Sequence, residues 1–293
     1  HLMTGSTEIG QGADTAFAQM VSETLGLSFE NIHVISTQDT DVTPWDPGAY
    51  ASRQTYTCAP AVHQASEELR RRILEHAGAM TGHFPAALTI APTPQGDAVV
   101  FVRQPQTVAV TLRDLAMDTF YDKDRGGQLS AEASVKSRQN PPSFGACFVE
   151  AEVDLDLCKV TIRDIINIHD AGVIINPALA TAQVHGGMGM GIGWALYEEL
   201  LIDPETGRVH NNNLLDYKFP TTCDLPDLGC AFVETQEPSG AYGNKSLGEP
   251  PLISPAPALR NAVLDATGVA VNAIPMTPKR LFEAFGKAGL LRH

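Results

Sequence analysis

Five glycines fall within eight consecutive residues, Gly186-Gly187-Met188-Gly189-Met190-Gly191-Ile192-Gly193. The surrounding sequence, Pro177 to Leu200, reads as a helix with proline in its first turn. A glycine inside a helix costs about 1 kcal/mol relative to alanine. A helix that keeps so many must gain from the missing side chains, through close approach of another backbone or a ligand. Tight packing against a second helix is the expectation for most of them. No frame of the run gives G-x-G-x-x-G, so a dinucleotide-binding fingerprint is absent. Gln183, just upstream, is the polar residue to follow.

Elsewhere strands and helices mix without a regular βαβ rhythm, which places the chain in the α+β class. Helices are expected over Ala13–Leu25, ended by Gly26, and over Ser52–His76, kinked or restarted by Pro60. Further helices are expected at Thr111–Phe120, Pro257–Ala266 and Pro278–Phe285. Alternating apolar and polar residues predict a long hairpin of Phe144–Asp154 with Lys159–His169. A two-stranded excursion is expected over Pro85–Arg103, turning at Gln95-Gly96. A second hairpin is expected over Glu199–Val209, and short strands at Ile32–Ser36 and Ala231–Glu234. Thr37–Tyr50 reads as a polar loop. The Gly/Ser/Asn/Pro-rich stretch Asp122–Pro142 predicts subdomains 1–142 and 143–293. The chain opens on His1-Leu2-Met3-Thr4, which reads as the end of a strand in a fragment or split subunit; the alternative is a cloning scar at His1-Leu2.

Charge and cysteine usage exclude several classes. Lys and Arg number 20 against 34 Asp and Glu, a net charge of −14. Such a polyanion is ill suited to coating nucleic acid or an anionic membrane. No apolar run approaches the roughly 20 residues of a membrane helix. Cys58, Cys147, Cys158, Cys223 and Cys230 never form C-x-x-C, so neither a disulfide framework nor a cysteine-ligated zinc or iron–sulfur site is expected within the chain. A reducing, cytoplasmic setting fits best. The histidines lack H-E-x-x-H spacing, and no Ser or Cys lies in a nucleophile elbow.

Gly5-Ser6-Thr7-Glu8-Ile9-Gly10-Gln11-Gly12 is one step from a phosphate-binding P-loop. Gln11 and Gly12 replace the required Lys and Ser/Thr, which removes the charge stabilisers of nucleotide hydrolysis. What remains is a Gly-rich turn before a helix N-terminus, suited to an anionic or polar cofactor through backbone N–H groups; the alternative is a tight strand–helix turn. Asp39-Thr40-Asp41 through Asp46 fails as an EF-hand because Tyr50 stands where the bidentate Glu belongs. In Lys245-Ser246-Leu247-Gly248-Glu249-Pro250-Pro251, two prolines stiffen the backbone after Glu249. A rigidly held carboxylate among apolar side chains is the setting of a general base, and Leu252-Ile253 promise such surroundings. Lys245 is placed to orient a neighbouring group.

Four segments in this order resemble the molybdenum hydroxylases of the xanthine dehydrogenase and aldehyde oxidase family. They are Gly5–Gly12 (GSTEIGQG), Pro47–Gln54 (PGAYASRQ), Asn176-Pro177 with Gln183–Gly187 (QVHGG), and Gly248–Leu252 (GEPPL). The likeness runs from about Thr4 to Leu290 and is nearest to the molybdenum-binding subunit of three-subunit bacterial xanthine dehydrogenases.

The resemblance implies mixed sheets and helices forming the C-terminal molybdopterin-binding half of such a subunit. It implies hydroxylation of a purine carbon, as in xanthine or hypoxanthine, with oxygen from water. Aldehydes and other N-heterocycles are alternatives, as is a non-catalytic cofactor-binding or assembly module. The implied cofactor is molybdenum on molybdopterin, with the cytosine dinucleotide form left open, and no side chain ligates the metal. Glu249 matches the catalytic base. Gly10, Gln11, Gly12 and Gln183 match the pterin cradle. Ala49, Ala51 and Ser52 match the loop beside the metal, the Ala51 backbone lying against its oxygen ligand. Arg53, toward cofactor phosphate, and Lys245 complete the cofactor-binding set. Implied partners are the N-terminal half of the subunit and chains or domains carrying 2Fe-2S and FAD. The family's first cofactor segments and its substrate contacts precede Thr4, so the chain alone is expected not to turn over substrate, and to expose apolar surface where the other half docks.

Overall fold

The computed structural model describes residues 1–37 and 39–291. These fall into two units, residues 1–140 with 237–244, and residues 141–236 with 245–293.

In the first unit, β1 (Leu2–Met3) and β2 (Val34–Ile35) pair in parallel. Between them runs α1 (Ala13–Leu25), its Phe17, Met20, Val21 and Leu25 stripe buried. Gly26, at φ 78°, ends the helix in the left-handed conformation that glycine adopts without strain. A π-helical turn over Gln54–Cys58 leads into α2 (Ala59–Thr81). Pro60 therefore restarts the helix instead of kinking it, and α2 continues past His76 to close on Gly82.

The excursion after α2 holds three strands, not two: β3 (Leu88–Thr93), β4 (Gly96–Phe101) and β5 (Gln104–Thr111), antiparallel in that order. The first half of β5 is polar and exposed, and its Pro105 is tolerated because the strand lies at a sheet edge. Those features hid it from the apolar pattern. α3 (Leu112–Tyr121) starts at Thr111, whose hydroxyl accepts the Asp114 N–H at 3.0 Å. Ile73, Leu74 and Ala77 of α2 pack with Leu88, Ile90, Val99, Val110 and Leu115 as a core.

In the second unit, β6 (Phe144–Asp154) and β7 (Lys159–Asp170) form the long hairpin, with Asp154 Oδ1 accepting the turn N–H groups of Asp156 and Leu157 at 2.9 and 2.8 Å. α4 (Pro177–Leu196) follows, capped by Asn176 through the Leu179 N–H and ending before Leu200. The second hairpin reduces to a single bridge between Ile202 and Val209. The Asn211 side chain takes the places of a further rung: it accepts from Leu201 N at 2.9 Å and donates to Glu199 O at 2.6 Å. β8 spans Leu228–Phe232, earlier than expected, because it is set by parallel pairing from Ile165↔Leu228 to His169↔Phe232. Three helices close the chain: α5 (Pro250–Ile253), α6 (Pro255–Thr267) and α7 (Pro278–Ala288). Val184, Met188 and Ile192 of α4 pack with Ile165, Leu259 and Phe285 in the core.

The glycines of α4 divide by environment. A Cβ on Gly187 would lie 2.7 Å from Pro251 Cβ and 3.0 Å from Leu252 N, and one on Gly191 would lie 2.9 Å from Leu252 O. One on Gly193 would meet the Glu198 carboxylate at 2.0 Å, whereas Gly186 faces open space and Gly189 has only an ordinary contact with Leu225. Gly187 and Gly191, one helical turn apart, thus seat the backbone of α5 directly on α4. No helix among the described residues is long and apolar enough to cross a membrane.

Candidate functional site

Within the first unit, Gly5–Gly12 and Pro47–Gln54 come together. A Cβ on Gly5 would lie 1.8 Å from Pro44 O, so only glycine lets this segment approach the chain just ahead of Pro47. The Ser6 hydroxyl donates to Gln54 Oε1, which also receives the Cys58 thiol at 3.2 Å.

The N–H groups ahead of α1 are not free for an anionic ligand, contrary to the sequence expectation. The Glu8 carboxylate accepts from Gly10 N at 2.7 Å, Gly12 N at 3.0 Å and Asp14 N at 3.1 Å. Burial pushes its pKa up, but these N–H groups together outweigh burial and hold the carboxyl below its ordinary value. The chain supplies its own anion to the positive end of the helix. Gln11 is likewise engaged within the loop, accepting from Ile9 N and donating to Thr7 O, both at 2.8 Å. Gly10 and Gly12 permit this winding with φ of 102° and 88°.

The second loop stores strain. Ala51 and Ser52 are consecutive non-glycine residues in the left-handed region, with φ of 50° and 56°. Each such residue costs about 1–2 kcal/mol. Ala49 is half-buried just before them, and Ala51 is exposed. Arg53 is committed locally: Nη1 donates to Asp46 Oδ1 at 2.7 Å and to Gly48 O at 3.0 Å. Burial pushes the Cys58 thiol up to about 11, with the Asp46 charge adding to the shift.

Gln54 is a residue the sequence reading named only as the end of a motif. It is 5% exposed, and its Nε2 has no hydrogen-bond partner among the described residues. A buried amide donor left unpaired costs about 1–3 kcal/mol. An amide donor beside exposed, strained backbone suits a neutral heteroaromatic group rich in acceptors, such as a pterin. Amide and main-chain groups stand here beside the Glu8 carboxylate and the Arg53–Asp46 ion pair. Among the described residues no group of three or more His, Cys, Asp or Glu could hold a metal ion.

Within the second unit, Glu249 immediately precedes α5, whose first two residues are Pro250 and Pro251. Gln183 lies one turn before Gly187, on the α4 face that seats α5. One expectation fails: Glu249 is exposed rather than set among apolar side chains, and Ile253 is 71% exposed. The turn that stiffens Glu249 also lifts it away from the core of its own unit. Lys245 directs Nζ to Asp170 Oδ2 at 2.8 Å. His169 is fully buried with neither ring nitrogen hydrogen-bonded among the described residues, and burial lowers its pKa.

A family model described as the molybdopterin cofactor-binding domain matches residues 1–226. The chain is 57% identical over 291 residues to a xanthine dehydrogenase molybdenum-binding subunit of Escherichia coli O157:H7, covering 99% of this chain and 38% of that protein. It is 30% identical over 287 residues to the gamma subunit of the 6-hydroxypseudooxynicotine dehydrogenase complex of Paenarthrobacter nicotinovorans, covering 95% of this chain and 35% of that protein. A crystal structure of the Cu,Mo-CO dehydrogenase superposes with a TM-score of 0.83 at 26% identity, over 98% of this chain and 36% of the other. The chain thus spans little more than a third of the length of these relatives. The mixed α+β architecture is that of the molybdopterin-binding region of such enzymes, and the chain belongs to the molybdopterin cofactor-binding domain family of the molybdenum hydroxylases.

Proposed function

We propose that the chain contributes the general base and part of the cofactor cradle of a molybdenum hydroxylase that oxidises xanthine or hypoxanthine. The observation that carries this reading is the seating of Glu249: an exposed carboxylate on a proline-stiffened turn whose backbone rests on Gly187 and Gly191. The purine assignment is supported by the 57% identity to a xanthine dehydrogenase subunit.

When bound, the molybdenum–pterin group supplies the two-electron oxidation. Glu249 takes up the proton released as water-derived oxygen is added to the purine carbon. Its rigid backbone limits the orientations it samples. Gln54 Nε2, the buried donor of the first unit, would donate to the pterin; in the second unit, the amide of Gln183 is a separate candidate to hold it. Gln11 acts through the loop it braces, keeping Gly10 and Gly12 in place. The left-handed Ala51-Ser52 pair, with Ala49 before it, would offer main chain to the metal group when it is bound. Arg53 holds that loop by its ion pair with Asp46 and would meet cofactor phosphate from there. The proposed setting is cytoplasmic, with the remainder of the molybdenum subunit and 2Fe-2S and FAD components as partners, and a molybdopterin in plain or cytosine dinucleotide form.

The test uses the complete enzyme purified with its partners. E249Q is expected to retain molybdenum and lose at least about 100-fold in turnover, the scale of a general base. Turnover within twofold of wild type would remove Glu249 from the role. Q54L is expected to lower molybdenum and pterin content, which is measured without any assay of activity. A panel of xanthine, hypoxanthine, an aromatic aldehyde and a pyridine decides the substrate class. Preference for the pyridine would favour N-heterocycle oxidation, the reading to which the resemblance to the 6-hydroxypseudooxynicotine enzyme points.

A further inference from the structure

The span that carries Glu249 is tied at both ends to one strand. On its N-terminal side, Lys245 Nζ reaches Asp170 Oδ2 at 2.8 Å, with the two side chains only 9% and 15% exposed. The other oxygen, Asp170 Oδ1, accepts the Gly172 N–H at 3.0 Å and the Thr235 hydroxyl at 2.6 Å. Asp170 is therefore held before Lys245 is counted. Lys245 N also donates to Ala171 O at 2.8 Å, and the Ser143 hydroxyl donates to Ser246 O. On the C-terminal side, Asn167 Nδ2 donates to Pro251 O at 3.0 Å and Asn167 Oδ1 accepts from Ser254 Oγ at 3.1 Å. Asn167 is fully buried.

Asn167 and Asp170 are three residues apart on β7, roughly 10 Å of extended strand. The chain between Lys245 and Pro251 would span roughly 20 Å if extended. A contour longer than the separation of its anchors must arch. Glu249 lies on that arch, exposed, with its carbonyl accepting the Leu252 N–H at 3.0 Å. Both feet of the arch are buried polar contacts, and Pro251, at one foot, presses on Gly187.

We infer that Asn167 and Asp170 are positioning residues for Glu249: β7 acts as a ruler that sets where the carboxylate stands. Lys245 serves this ruler as the partner of Asp170. The inference rests on Glu249 being the base. Misplacing a reacting group by about 1 Å costs on the order of 100-fold in rate.

The experiment compares N167A and K245M in the complete enzyme, each in the wild-type and E249Q backgrounds, using whichever substrate of the panel the wild type oxidises. Molybdenum content and hydrogen exchange over residues 246–252 are measured alongside. Each variant is expected to lower kcat about 10- to 100-fold with molybdenum retained. Exchange over 246–252 should rise, and neither variant should cause a further loss in the E249Q background. An equal loss in both backgrounds would show that the ruler acts on something other than Glu249. A kcat within twofold of wild type despite faster exchange would also overturn the inference. Should N167A not fold, K245M decides alone, since it removes the other foot. Wild-type turnover by E249Q itself would instead defeat the base assignment, and this inference with it.

Discussion

The Gly5–Gly12 loop and helix α4 are both glycine-rich, and they use glycine for different physical reasons. In the loop, the backbone demands it. Gly10 and Gly12 sit at φ of 102° and 88°, and a Cβ on Gly10 would meet nothing within 4 Å. In α4 the conformation is ordinary and space demands it, because Cβ atoms on Gly187 and Gly191 would strike α5 and the start of α6. Glycine counts alone cannot separate the two cases, since one depends on a torsion and the other on what lies across a contact.

The sharpest test of this contrast is G191V. Overpacking against main chain and a β-branched side chain in a helix should together cost about 3 kcal/mol, seen as a lower urea midpoint. Equal stability would mean α5 does not rest on α4. G10A should cost about 1–2 kcal/mol from φ alone, and G10N clearly less, because Asn tolerates the left-handed region. If both cost the same, crowding rather than torsion governs the loop. G186A should stabilise by about 1 kcal/mol, because this glycine lies in the helix facing open space. A loss there would break the division within α4 itself.

The smallest effect concerns the carboxylate that fills the head of α1. Because the folded pKa of Glu8 is lowered, its contribution is full above the ordinary carboxylate pKa and is lost as pH falls through the folded value. E8Q should cost about 0.5 kcal/mol near neutral pH, a value reduced for its partial exposure. Its unfolding midpoint should also vary less than wild type across that acid window. A wild-type acid profile in E8Q would assign the effect to another carboxylate.

Elements whose causes are local were legible. The α1 stripe and its Gly26 stop occupy the residues read from the pattern, as does the long hairpin but for one residue at the end of β7. The GSTEIGQG and GEPP segments were visible as backbone constraints. Elements whose causes are remote were not. β8 takes its register from β7, and the edge strand β5 lacks an apolar signature over half its length. The ligand of the α1 terminus was overlooked because Glu8 lies inside the motif, where its carboxylate competes for the N–H groups left for a cofactor. Asn167 carried no signal, since its partner Pro251 is 84 residues away.

By itself, the sequence determined the residues available for chemistry and the local stiffness around them: a carboxylate before two prolines, amides beside glycines, and no cluster of metal ligands by spacing. Only the tertiary structure decided which of these groups are already spent. It gave Glu8 to its own helix and Arg53 to Asp46, left Gln54 buried with a donor unpaired among the described residues, and raised Glu249 on an arch braced from β7. The physical reason is that propensity and torsion act within a few residues of chain, whereas hydrogen-bond satisfaction and steric approach are settled between segments that the sequence keeps far apart.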